Sequence, residues 1–108
     1  MLLKELIAIN KKFGNGQVIN SSGIEFAEDA LKKTKNWQEQ AAYIVRAIVI
    51  DHAFEDGNKR TAAAYLAGLL RTYRIPYDPY KVDKLILTIA KDAKSIDKIR
   101  RMIKNAIG

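Results

Sequence analysis

The sequence contains no cysteine, which excludes disulfides, thiolate metal sites and a catalytic thiol. A reducing cytoplasm is the expected location, because charges also break any signal-peptide core in the opening Met-Leu-Leu-Lys-Glu-Leu-Ile. No apolar run approaches the length that spans a bilayer, so neither a membrane-spanning segment nor a membrane partner is expected. Histidine is nearly missing as well, with His52 standing alone. Repeats, low-complexity tracts and linkers are lacking. With 108 residues there is room for one core, and the expected organisation is a single domain over residues 1–108.

Positive charge, by contrast, is in excess. Nineteen Lys and Arg against 12 Asp and Glu give a net +7, which raises nucleic acid as a partner. The tail from Lys91 to Gly108 holds six basic side chains against two acidic ones. They interleave with Ile96, Ile99, Ile103 and Ile107, as on the solvated face of a helix. No arginine-rich arm, aromatic stacking series or zinc-finger spacing accompanies them, so nucleic acid is not the expected partner. A basic nucleic-acid-binding helical domain is still a competing reading, and a linear fall of log affinity with log salt would support it.

Helical spacing dominates the chain. Leu2, Leu3, Leu6, Ile7 and Phe13 predict a first helix that stops near Gly14. Residues 14–23 form the longest non-helical stretch, and Asn15-Gly16 followed by Val18 and Ile19 suggests a small β-hairpin flap. Ser21 or Ser22 is a candidate cap for a short helix that runs through Glu25 to Lys33. Trp37, Ala41, Ile44 and Ile48, widened by Val45 and Val49, mark a helix apolar on most sides and hence central. It ends near Asp51-His52. A further helix begins at Gly57-Asn58, with Tyr65, Leu66, Leu69, Leu70 and Tyr73 on one face. Asp78-Pro79 starts another, and Ser95 caps the last. The expected fold is all-α, with five to six helices.

Between the two most apolar helices lies a polar segment, His52-Ala-Phe-Glu-Asp-Gly-Asn-Lys-Arg60. So much charge there is costly unless the groups are paired or face a cleft. Gly57 permits a tight turn and close ligand approach. Free amides at the next helix start, with the dipole behind them, suit phosphate. Lys59 and Arg60 oppose that dipole and make sense if a polyphosphate sits there. Asp56 is the hard oxygen ligand that Mg²⁺ uses beside phosphates. An imidazole titrates near neutrality, so His52 can take a proton from an attacking hydroxyl. A plain capped turn would explain Asp56, Gly57 and Asn58, but not His52, Lys59 and Arg60.

These residues resemble the Fic/Doc signature His-x-Phe-x-Asp/Glu-Gly/Ala-Asn-Gly/Lys-Arg, and the resemblance extends over residues 2 to about 90. It implies that His52 is the general base toward a target-protein hydroxyl and that Phe54 anchors the loop. It implies further that Asp56 holds Mg²⁺, and that Gly57, Asn58, Lys59 and Arg60 bind the phosphates of ATP. Glu55 falls at a variable position. Lys59 and Ala63 look like the Doc branch, where AMP-transferring members have glycine and a second arginine. That branch implies phosphoryl transfer from Mg-ATP to a Ser or Thr hydroxyl, with a translation factor as target and a separate antitoxin as partner. AMP transfer is the alternative, and a catalytically dead interaction module is a third reading. Target capture in the family looks like strand addition to the flap, here Gln17, Val18, Ile19 and Asn20. Ser21-x-x-x-Glu25 matches half of an inhibitory motif, with Phe26 where Gly or Asn would follow, so Glu25 is a weak inhibitory candidate.

Overall fold

The computed structural model describes residues 2–107; Met1 and Gly108, the ends of the expected single unit, lie outside them. The most apolar stretch becomes the centre. Helix α3 (Trp37–Val45) continues into a π-helical turn (Arg46–Ile50). Ala41, Ala42, Ile44, Val45 and Ile48 in these elements are fully buried. Around them pack α1 (Leu2–Asn10), α2 (Ser22–Leu31), α4 (Asn58–Thr72), α5 (Pro79–Asp92) and α6 (Ile96–Ile107). Helix α3 packs on α2, α4 and α6, and the π turn on α2, α4 and α5. The class is all-α, as the 3.6-residue spacing predicts.

Several boundaries follow from their caps. Asn36 is extended, and its side chain accepts from the amides of Gln38 and Glu39, starting α3. Asp78 accepts from the Tyr80 amide with Pro79 in the first turn, and Ser95 Oγ accepts from Lys98 N–H. Each such cap is worth about 1 kcal/mol. The burial of α4 is equally plain, since Leu66 and Leu70 are fully enclosed and Ala62 and Ala63 let neighbouring helices approach.

Three expectations are corrected. The hairpin is not formed; among the described residues the flap makes one isolated antiparallel bridge, Val18 to Phe54. Residues 14–21 lack a second run of their own to pair with, and the loop after the π turn supplies it. Ser21 occupies the position before α2 but its side chain accepts no capping hydrogen bond, because its backbone is already helical (φ −88°, ψ −12°). Asn20 Oδ1 accepts from the Ser22 amide instead. Helix α2 also ends at Leu31, short of the expected Lys33.

Candidate functional site

The π turn delivers His52. Its wider hydrogen bonds run from Asp51 N–H to Arg46 O at 3.1 Å and from Ala53 N–H to Ile48 O at 3.4 Å. The second of these closes the helix end in the manner that normally places glycine in the left-handed region. Here His52 occupies it, with φ +52°. A histidine tolerates this better than a branched residue but carries strain, of a kind that persists where something else fixes the residue. Arg46 braces the turn: its Nε donates to Lys94 O at 2.8 Å, and Nη1 lies 4.0 Å from Asp51 Oδ2.

Beyond His52 the chain dips into the core. Phe54 is fully buried and holds the polar segment by its middle. The Asn58 carboxamide then closes the loop on that residue, Oδ1 accepting from Phe54 N–H at 3.0 Å and Nδ2 donating to Phe54 O at 2.8 Å. The Asn58 side chain is therefore engaged with the backbone, and its amide N–H is the group left to face a ligand. Gly57, left-handed at φ +74°, precedes α4 and offers no side-chain cap. The first-turn amides of a helix have no intrahelical partner, which makes this end a natural anion site. Thr61 Oγ1 donates to Gly57 O at 2.7 Å and steadies the turn from behind.

One cleft of about 520 Å³ gathers His52, Asp56, Gly57, Asn58, Lys59 and Arg60. Phe13, Val49 and Glu55 complete its wall, and sequence reasoning had assigned none of these three to it. His52, Asp56, Lys59 and Arg60 are exposed. Asp56 Oδ1 accepts from Gly57 N–H at 2.8 Å, which orients the carboxylate. No group of three or more ligating side chains occurs among the described residues. A single oriented carboxylate beside a helix N-terminus suited to anions nevertheless fits Mg²⁺, which takes one or two carboxylates and completes its shell with phosphates and water.

The flap lies against this loop rather than in the cleft. Glu55 N–H donates to Gln17 O at 3.0 Å and Ile19 N–H to Ala53 O at 2.9 Å. The Asn20 amide reaches the same oxygen at 3.2 Å, and its side chain donates to Asp51 O at 2.8 Å. Glu25 is exposed in the first turn of α2 and does not line the cleft. A second hollow, of about 360 Å³, shares Phe13 and Arg60 with the cleft and has Ala63, Ala64, Ala67, Pro79 and Val82 in its wall. It is the apolar neighbour of a charged site.

Within an all-α fold, one cleft thus gathers a histidine, a carboxylate and a helix N-terminus flanked by two cations. A family model described as the Fic/DOC family matches residues 8–70. That is more than half of the chain, and the chain belongs to the Fic/Doc family. No curated protein and no solved structure matches it. Membership points to a transferase of the Fic/Doc type acting on protein targets, a family that typically uses ATP with Mg²⁺. No helix among the described residues is long and apolar enough to cross a membrane.

Proposed function

We propose that this protein is a Doc-like kinase that moves the γ-phosphoryl group of Mg-ATP to a Ser or Thr hydroxyl of a target protein. The observation that carries the reading is the convergence of His52, Asp56 and the α4 N-terminus with Lys59 and Arg60 on one cleft. In this account His52 takes the proton of the target hydroxyl. The hydroxyl oxygen bonds to the γ-phosphorus, and the bridging bond to ADP breaks. The amides of Asn58 and Lys59 receive the phosphate oxygens, Gly57 lets them approach closely, and Lys59 and Arg60 neutralise their charge. Asp56 would hold Mg²⁺, which supplies charge neutralisation between the phosphates when bound.

Phosphoryl rather than AMP transfer is favoured by the surroundings of Arg60. AMP-transferring members place a second arginine where Ala63 stands, and Ala63 instead lines the apolar hollow beside Arg60. That hollow suits a nucleoside, which leaves the terminal phosphate toward His52. Lys59 also crowds the position that glycine keeps open in the AMP-transferring form. The flap fits strand addition: its pairing with the loop uses Gln17, Ile19 and Asn20 and not the backbone groups of Val18, so one edge is open to a target strand. Glu25 lies away from the cleft, so restraint of a toxic activity would come from a separate antitoxin.

Peptide mass spectrometry of a cell lysate treated with protein, Mg²⁺ and ATP tests this against His52→Ala. A phosphoryl mass gained on Ser or Thr only with His52 present supports the kinase. An adenylyl mass would establish AMP transfer. No modification, together with no ATP binding, would leave an interaction module.

A further inference from the structure

Asn10 is one of two fully buried polar side chains among the described residues, Thr61 being the other. It ends α1, four residues after the fully buried Leu6 on the same face. Its carboxamide makes three hydrogen bonds to three separate parts of the chain. Nδ2 donates to Asp56 O at 2.7 Å and to Thr61 Oγ1 at 3.0 Å. Oδ1 accepts from Gly16 N–H at 2.9 Å. A cap for α1 would need none of these, since the turn at its end is closed by main-chain bonds from Phe13 and Gly14 to Asn10 O.

The partners share a location. Asp56 O lies on the peptide just before Gly57, so holding it sets the plane in which the loop turns into α4. The other side of Asp56 is held by Gly57 N–H, and Thr61 ties Gly57 O from behind. Gly16 opens the flap, whose next residues pair with Ala53 and Glu55. The close fit is visible at Gly14, where a Cβ would stand 2.7 Å from Asp56 O and 3.2 Å from Asn10 Oδ1.

We infer that Asn10 is a positioning residue: it fixes the bend that aims the α4 amides into the cleft, and it couples the flap to that bend. Its part in phosphate binding rests on the function proposed above; the coupling itself does not. The two arms of the carboxamide are separable. Asn10→Asp keeps the acceptor for Gly16 and removes the donors to Asp56 and Thr61, whereas Asn10→Ala removes all three.

Amide hydrogen exchange by NMR on the full chain tests the inference. In Asn10→Asp, exchange at Phe54, Gly57 and Thr61 rises about tenfold while Gly16, Ile19 and Asn20 keep their protection. In Asn10→Ala both groups rise. The α5 and α6 amides change in neither variant. A uniform rise across all helices, or none at Gly57 and Thr61, overturns the inference. Calorimetric titration with Mg²⁺ and inorganic pyrophosphate adds the ligand readout, with Asn10→Asp binding at least about tenfold more weakly than wild type. Equal affinity would remove Asn10 from the phosphate site. If wild type itself binds no pyrophosphate, the phosphate reading of the cleft fails, and the exchange data alone decide the coupling.

Discussion

Replacing Asn58 by alanine isolates the closure of the loop. The wild-type carboxamide pairs with both backbone groups of Phe54, at 3.0 and 2.8 Å. Truncation leaves an N–H and a C=O unpaired beside a ring that is fully buried. Each orphaned group costs about 1–3 kcal/mol. Water from the adjoining cleft can replace part of this, so the expected loss is about 2–4 kcal/mol. For a chain of this size that lowers the melting temperature by roughly 8–16 °C. Asn58→Asp retains the acceptor and places a carboxylate at a helix N-terminus, where it is favoured, so about half the loss is expected. Urea unfolding followed by far-UV circular dichroism and Trp37 fluorescence measures both variants. A loss below about 0.5 kcal/mol for Asn58→Ala would refute the closure argument. So would equal losses in the two variants, because the donor and acceptor would then not contribute separately.

Three more outcomes are expected. Gly14→Ala drives a methyl to 2.7 Å from Asp56 O, a backbone atom that cannot swing aside, so stability falls by about 1–3 kcal/mol in chemical denaturation. His52→Gly relieves the left-handed backbone at φ +52°; thermal melting is expected unchanged or up by a few degrees, and a large drop would contradict the strain. Burial, then the nearby Glu5 and Tyr73, push the Tyr65 phenol above its ordinary value. A raised phenol favours the protonated folded form, so its contribution is whole below about pH 10 and is lost as pH rises further. Melting curves at neutral and strongly alkaline pH should therefore show a smaller alkaline loss for Tyr65→Phe than for wild type, and parallel losses would count against the burial effect.

Most of the helical framework was legible because burial and spacing agree. Ala41, Ile44 and Ile48 recur on one face, and Asp78-Pro79 and Ser95 mark true starts. The polar segment was legible for a different reason: a glycine, an asparagine and two cations between apolar helices have no cheap structural explanation. The features that escaped are those decided by distant partners. Residues 47–50 are apolar throughout, so their pattern carries no register and conceals the π turn. Val18 pairs with Phe54 across 36 positions, which local turn signals in the flap cannot foretell. Asn10 falls inside the first helix as the spacing predicts it, and its one signal is a polar residue four positions beyond Leu6 on the buried stripe. Ser21 misled because a serine before an apolar run caps only when its backbone is extended.

The most direct test of the central claim is label transfer from ATP. The full chain, Mg²⁺ and lysate protein would be incubated with ATP radiolabelled at either the γ- or the α-phosphorus, beside His52→Ala. The account predicts label on protein from γ-labelled ATP alone, and none with His52→Ala. Label from α-labelled ATP would contradict it, as would γ-label transfer that survives loss of His52.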